Sequence, residues 1–161
     1  MISNVIDLRE LPIYGDGMQV RDWLHVKDHC SGIDTVLHKG RLREVYNIGG
    51  NNEKANIHIV DLILKFVKEK LEKDNYDGIA TDTSKISDAL KIHVEDRLGH
   101  DRRYAIDNTK ITTELGWSPS YTFEKGIEET IEWYLKNQKW VAQVESGGYQ
   151  EYYEKMYSKK K

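Results

Sequence analysis

The sequence contains one cysteine, two prolines and no long apolar run in 161 residues. Cys30 has no second cysteine in the chain, so an internal disulfide is excluded. A membrane-spanning helix needs about 20 consecutive apolar residues, which are absent here. The first ten residues also lack the basic and then apolar order of a signal peptide. We therefore expect a cytoplasmic protein without disulfides.

The charge balance has no strong sign. The 24 Lys and Arg against 27 Asp and Glu give a net charge of -3, so the whole surface gives no reason to expect nucleic acid or a membrane as a partner. A composition of 39% hydrophobic and 32% charged residues is typical of a globular domain, and the length suits about one domain. Any basic site must therefore be a local patch.

Strand and helix patterns alternate along the chain and predict a mixed α/β fold. Strands are predicted at residues 11–14, 19–26, 44–50, 92–96 and 104–107. Helices are predicted at 29–40, 56–73, 109–116 and 123–137. The polar stretch between 75 and 91 is predicted to be a surface excursion with at most a short helix.

Helix ends and apolar stripes refine this prediction. We expect Asp28 to cap the first of these helices and Gly40 to end it in a left-handed conformation. Asp107 or Asn108 should cap the helix that Gly116 stops. Apolar residues at helical spacing predict the core faces of the two long helices: Val60, Ile63, Leu64, Val67 and Leu71, then Ile127, Ile131, Tyr134 and Leu135. Trp133 is expected to pack toward the core beside Tyr134 and Leu135.

Three possible sites are weak. His25 and His29 are four residues apart, but no third ligand follows at metal-motif spacing, so we predict no metal site. Cys30 is interpreted as a small buried side chain rather than an activated thiol. The pair Gly49 and Gly50 lacks the G-x-G-x-x-G spacing of a dinucleotide loop, and Asn56 after it either caps a helix or reaches a ligand.

The densest group of polar head groups is DRLGHDRRY, residues 96–104. Burying so many charges without partners costs several kcal/mol each, so the stretch lies in water or binds an anion. Its arginines, together with Arg21 and nearby aromatic residues, suit a diphosphate that carries a stackable base. Surface ion pairs with neighbouring aspartates explain the same residue types equally well.

Longer stretches carry a resemblance to a known family. RDWLHVKDH, EVYNIGGNNEKANI, GHDRRYAID and ELGWSPSYTFEKGIEETIEWYLKN closely resemble the carboxy-terminal half of dTDP-glucose 4,6-dehydratases, members of the extended short-chain dehydrogenase/reductase family. The resemblance covers nearly the whole chain. It implies that residues 1–161 are one substrate-binding portion with one late strand of the NAD-binding sheet at 44–50. Within this range, the basic terminal residues 158–161 are expected to form a frayed tail, as chain ends commonly do.

The resemblance also implies an activity and site residues. In the family, NAD oxidises the hexose at C4, water is eliminated across C5 and C6, and the hydride returns at C6. Arg21, Arg97 and His100 match positions that bind the nucleotide diphosphate, Asn56 and Tyr104 contact the nucleotide or phosphates, and Tyr157 is a weaker match. The partners implied are dTDP-glucose and, in a homodimer, a second copy.

The resemblance assigns the catalytic residues to an amino-terminal half that this chain does not match. The glycine-rich dinucleotide loop, the catalytic Tyr-x-x-x-Lys pair and the Thr-Asp-Glu element belong there. We therefore expect no catalytic or cofactor-binding residue here, no retained NAD and no activity of the chain alone. Two alternatives stay open: an epimerase or decarboxylase of the same extended family, and a polyanion-binding module without catalysis.

Overall fold

A computed structural model describes residues 1–147 as a mixed α/β assembly, which confirms the predicted fold class. In chain order the elements are α1 (Ile2–Ile6), β1 (Leu11–Tyr14), β2 (Val20–Asp22), α2 (Val26–Lys39), β3 (Glu53–Ala55), α3 (Asn56–Lys73), two short 3-10 helices (Thr83–Lys85 and Asp88–Leu90), β4 (Lys91–Val94), α4 (Thr109–Leu115), α5 (Phe123–Lys136) and α6 (Gln138–Glu145). None of the helices in this part of the chain is long and apolar enough to cross a membrane.

The core forms around α3, and its predicted apolar face is confirmed. The buried residues of this helix are Ile59, Val60, Ile63, Leu64 and Val67. Helices α1 and α5 pack on them and contribute fully buried side chains of their own, Val5, Ile131 and Leu135. Burying an aliphatic side chain of this size stabilises the fold by about 1.5 to 3 kcal/mol each, so this helix contributes most to holding the elements together.

The strands form two small sheets. β1 pairs with β4 in parallel, and β2 pairs with β3 in antiparallel register, with Val20 opposite Ala55. The structure assigns no strand to 44–50 or 104–107 within residues 1–147. The strand prediction at 104–107 is therefore wrong, while the place of 44–50 in an NAD-binding sheet stays a prediction. A strand needs a neighbouring backbone with which to exchange hydrogen bonds, and within residues 1–147 the first range has none. The second range is preceded only by a single bridge between Arg103 and Val20.

Asp28 has a different role from the predicted one. The cap of α2 is His25, whose Nδ1 accepts from the backbone N–H of Lys27, and Asp28 lies inside the first turn. Its carboxylate is 3% exposed and accepts three hydrogen bonds, from the backbone and hydroxyl of Ser120 and from the backbone N–H of Tyr121. Burial opposes ionisation, but these bonds outweigh it and hold the pKa of Asp28 below its ordinary value. Asp28 thus ties α2 to the loop before α5.

Three further predictions about α2 and α5 are wrong. Gly40 ends α2 with φ -64°, not in the left-handed region, and a Cβ there would overlap the carbonyl oxygen of Val36. Cys30 is exposed, because it lies on the face of α2 away from the core. Trp133 is 43% exposed, since its neighbours Ile131 and Leu135 already occupy the buried face of α5.

The other helix ends agree with the sequence patterns. Gly116 ends α4 in the left-handed conformation with φ 69°, as predicted. Of the two predicted capping residues, Asp107 makes the capping bond, from the backbone N–H of Thr109 to its Oδ1 at 2.9 Å. Asn108 stands at the cap position without such a bond.

We expect Asp28→Asn to lower the free energy of unfolding by about 2 kcal/mol at neutral pH, because an amide offers one acceptor where the loop presents three donors. The folded-state pKa of Asp28 is lowered, so the extra stability of the wild type over Asp28→Asn is present above the ordinary aspartate pKa of about 3.9. This difference in the free energy of unfolding is lost as the pH falls below that value. Urea denaturation at several pH values measures both the loss of stability and its dependence on pH. Asp34→Asn on the exposed face of α2 is the matched control, and an equal effect of both substitutions would contradict this role.

Candidate functional site

A cavity of about 420 Å³ opens between α1, β1, α3 and the 96–100 segment. Asn56, Arg97 and His100 line it. Arg21 contacts His100 from β2, and Tyr104 lies against Arg21. The structure therefore brings together five of the six predicted site residues, and the sixth, Tyr157, lies outside the described residues.

Arg21 is held by carbonyl oxygens and rings rather than by an acid. Its guanidinium donates to the backbone oxygens of Val20 at 2.7 Å and Asp101 at 3.0 Å. Its Nη2 lies 2.9 Å from Nε2 of His100, and its Cζ lies 4.5 Å from the ring centroid of Tyr104. Within residues 1–147 no carboxylate forms an ion pair with Arg21.

Arg97 likewise lies over an aromatic ring, that of Tyr14. Its guanidinium lies 4.7 Å from the ring centroid of Tyr14, and the described residues offer it no carboxylate partner. Its backbone N–H donates to Oδ1 of Asp96 at 2.9 Å. Tyr14 also contacts the His100 ring edge-on, with centroids 6.2 Å apart. Arg97 therefore presents an available guanidinium next to the cavity.

Arg102 and Arg103 are different, because each is engaged by a carboxylate. Arg102 forms a two-bond fork on Asp16 at 2.8 and 2.9 Å, and this hydrogen bonding lowers the pKa of Asp16 to about 2. Arg103 forms a similar fork on Glu53 at 2.6 and 2.9 Å. The ion-pair interpretation is therefore confirmed for Arg102 and Arg103, and the anion-binding interpretation stays a prediction for Arg97. Arg102 and Arg103 are surface ion-pair formers, while Arg21 and Arg97 have guanidinium groups available to an anion.

His100 is fixed by residues that sequence reasoning missed. Its Nδ1 lies 2.6 Å from Oδ1 of Asp96, and the other oxygen of Asp96 accepts from Nε2 of Gln19 at 2.8 Å. The hydrogen bond with His100 holds the pKa of Asp96 below its ordinary value. Gln19 is 2% exposed, which an isolated glutamine in a strand pattern does not indicate. The one available signal was Asp96 four residues before His100.

The glycine pair does not form a phosphate cradle in this chain. The carboxylate of Asp22 accepts from the backbone N–H of Gly50 at 2.7 Å and of Asn52 at 2.8 Å. Those are the donors that a phosphate would need. Asn56 is the first residue of α3 and makes no capping bond, so the capping role considered for it is not found. Its place on the cavity wall favours the alternative, contact with a ligand.

This geometry agrees with what the chain resembles. The family model described as GDP-mannose 4,6 dehydratase matches residues 1–130. The chain belongs to this family. A dTDP-glucose 4,6-dehydratase of Xanthomonas campestris is 49% identical over 92% of this chain and 40% of its own length. The predicted resemblance is thereby confirmed.

Solved structures of family members have the same fold. The dTDP-glucose 4,6-dehydratase of Bacillus anthracis, solved in complex with NAD, is 49% identical and superposes with a TM-score of 0.70 over 86% of this chain and 39% of that one. The enzyme of the same name from Streptomyces venezuelae, also with NAD bound, is 38% identical with a TM-score of 0.71 over 86% and 38%. This chain thus spans about 40% of the length of such family members.

The spacing of the family's catalytic pair also occurs inside one of the stretches that carry the resemblance. Tyr121 and Lys125 are four residues apart, but Nζ of Lys125 lies over the Tyr121 ring, 5.2 Å from its centroid. The Tyr121 hydroxyl accepts instead from Lys27 at 3.1 Å, and the ring stacks on His25. We assign this pair no catalytic role. In the described part of the chain no three His, Cys, Asp or Glu side chains form a group that could hold a metal ion.

We expect Gly50→Ala to destabilise the chain by about 2 kcal/mol, because a Cβ would overlap the carbonyl oxygen of Trp23 and push the loop off Asp22. Gly126→Ala is the control, since the nearest atom to a Cβ there is 3.4 Å away and alanine is favoured in a helix. Urea denaturation of the two variants compares them. Equal stability of both would show that the loop is not closely packed.

Proposed function

We propose that this chain is the nucleotide-sugar-binding portion of a dTDP-glucose 4,6-dehydratase, and that Arg21 and Arg97 bind the diphosphate. One observation carries the proposal. Arg21 contacts His100 and Arg97 lies over the Tyr14 ring next to it, neither has a carboxylate partner in the described residues, and Arg97 lines the cavity. The family members are named dTDP-glucose 4,6-dehydratase, which supports dTDP-glucose as the ligand.

The electrostatics favour a small anion with two charged groups. Guanidinium forks match phosphate oxygens, and charge-assisted hydrogen bonds contribute about 1.5 to 3 kcal/mol each. A carboxylate opposite either arginine would compete with the phosphates, and the described residues supply none. Asn56 on the cavity wall and Tyr104 beside Arg21 are placed to contact the nucleotide or its phosphates. The role of Tyr157 stays a prediction.

Two features of the described residues argue against an NAD site among them. The backbone donors of Gly50 and Asn52 are taken by Asp22, and residues 44–50 form no strand. NAD in the enzyme would therefore be held by residues outside this part of the chain. We propose that the chain alone retains no NAD, and we derive no chemical step from residues 1–147. The predicted homodimer also stays a prediction.

Comparing how different ligands stabilise the chain distinguishes this proposal from the two alternatives, an epimerase or decarboxylase and a polyanion-binding module. Stabilisation by dTDP-glucose but not by an oligonucleotide of random sequence supports a nucleotide-sugar site. Stabilisation by the oligonucleotide alone supports the polyanion-binding module instead. Stronger stabilisation by UDP-glucose than by dTDP-glucose supports an epimerase or decarboxylase specificity. Thermal unfolding of the chain with each ligand measures these differences.

We expect Arg21→Ala and Arg97→Ala each to weaken dTDP binding about tenfold or more, because each removes at least one charge-assisted hydrogen bond. Arg97→Lys should not restore affinity, since a point charge lacks the planar fork. Isothermal titration calorimetry with dTDP measures each dissociation constant.

Arg102→Ala is the matched control for these variants. It lies in the same segment, but its fork on Asp16 leaves it unavailable to the ligand, so its affinity should stay within about threefold of wild type. If Arg21→Ala and Arg97→Ala bind dTDP as tightly as wild type, the two arginines are ordinary surface residues and the assigned site is wrong.

We expect the purified chain to carry no NAD and to give no dTDP-4-keto-6-deoxyglucose from dTDP-glucose, even with NAD added. The reason is that the described residues offer no site for the cofactor. Absorbance and mass spectrometry of denatured protein detect retained NAD, and the keto sugar is detected by its absorbance in alkali. Measurable turnover would contradict this expectation.

A further inference from the structure

The contact between Arg21 and His100 determines the protonation of the histidine. An arginine guanidinium carries only donors, so Nε2 of His100, 2.9 Å from Nη2 of Arg21, must be the acceptor. The ring is therefore neutral in the ligand-free site, and its one proton is on Nδ1. That proton points at Oδ1 of Asp96, 2.6 Å away.

Asp96 is itself held in one orientation. Its Oδ2 accepts from Gln19, and its Oδ1 accepts from the backbone N–H of Arg97 as well as from His100. Gln19 is nearly fully buried, donates also to the carbonyl oxygen of Tyr14 at 3.3 Å, and leaves its Oε1 without a partner in the described residues. These two donor contacts, to Asp96 and to Tyr14, hold Nε2 of Gln19 in one position.

We propose that Gln19 and Asp96 are positioning residues that hold His100 as the Nδ1–H tautomer, and that a phosphate which engages Arg21 frees Nε2 of His100 to take up one proton. This inference rests on the proposed diphosphate site. The proton comes from the solvent and no covalent bond changes. Binding of the diphosphate is thereby coupled to proton uptake.

The charges around His100 favour this exchange. In the ligand-free site the neutral ring lies between the Asp96 carboxylate and the Arg21 guanidinium. With a phosphate in place of the Arg21 contact, a protonated ring lies between two anions, which favours the charged form. Arg97, which lies over the Tyr14 ring that contacts His100, adds a positive charge that opposes protonation until it too engages the phosphate, and Arg102 interacts with Asp96 at longer range. Asp101 does not face the ring, since its carboxylate accepts from Tyr104.

The tautomer is tested without ligand. Long-range ¹⁵N–¹H spectra of the histidine rings distinguish the two neutral tautomers, and we expect His100 to show the Nδ1–H form. Gln19→Met keeps the size of the side chain but removes its donor, so it should raise the share of the other tautomer. An Nε2–H tautomer in the wild-type chain would overturn the positioning role.

Proton uptake is tested by calorimetric titration of dTDP in Pipes, Hepes and Tris at one pH. The slope of the observed enthalpy against the ionisation enthalpy of the buffer gives the protons taken up per dTDP. We expect about half a proton or more near pH ~7.5, because a group that gains a second anionic neighbour within about 6 Å becomes markedly more protonated.

Variants assign that uptake to His100. His100→Gln should reduce the slope to zero, and Asp96→Asn, which removes the charge, should at least halve it while the chain stays folded. His38→Gln, an exposed histidine on α2, is the control and should leave the slope unchanged. A wild-type chain that binds dTDP with zero slope, or a His100→Gln variant that keeps the slope, overturns the coupling alone. A wild-type chain that binds no dTDP overturns the proposed function as well.

Discussion

Strand β2 is short, but both of its edges are hydrogen-bonded, and the site depends on this. On one edge the backbone of Val20 donates to Arg102 at 2.8 Å and accepts from Tyr104 at 3.0 Å. On the other edge Val20 lies opposite Ala55 in β3, next to Asn56. Because these pairings fix the register, Arg21 meets His100 from one segment and stands near the start of α3 in another. A slip of one residue would place Arg21 on the opposite face.

Two aspartates stabilise loops by accepting hydrogen bonds from backbone N–H groups, and sequence patterns do not reveal either set of bonds. Asp22 accepts from the backbone N–H groups of Gly50 and Asn52, and Asp28 accepts from those of Ser120 and Tyr121. These bonds explain why the glycine pair makes a close packing contact and not a phosphate site. They also explain why an acid at the start of α2 is buried and not a simple cap.

Much of the fold could be predicted from the sequence, because periodicity reports which face of an element is buried. The stripe of α3, the end of α4 at Gly116 and the strand at 11–14 were found this way. The strand predicted at 104–107 is not found, since local sequence carries no information on whether a partner strand exists. In the candidate site, the resemblance supplied the five residues that meet. Residue types alone gave no basis for telling Arg97 from Arg102, because ion pairing with Asp16 depends on residues 86 positions apart.

The chain has a net charge of -3, so an anion can bind only where arginines are not already paired with carboxylates. Arg102 would have to give up two charge-assisted bonds, each worth about 1.5 to 3 kcal/mol, before it could bind phosphate. Arg97 gives up only a position over the Tyr14 ring, a contact worth about 0.5 to 1 kcal/mol at an exposed site. The tyrosine ring therefore orders the guanidinium without competing with the ligand for it. For Arg21 the lone pair of His100 has the same effect, because an imidazole nitrogen is a weaker partner than a phosphate oxygen and can be exchanged for it.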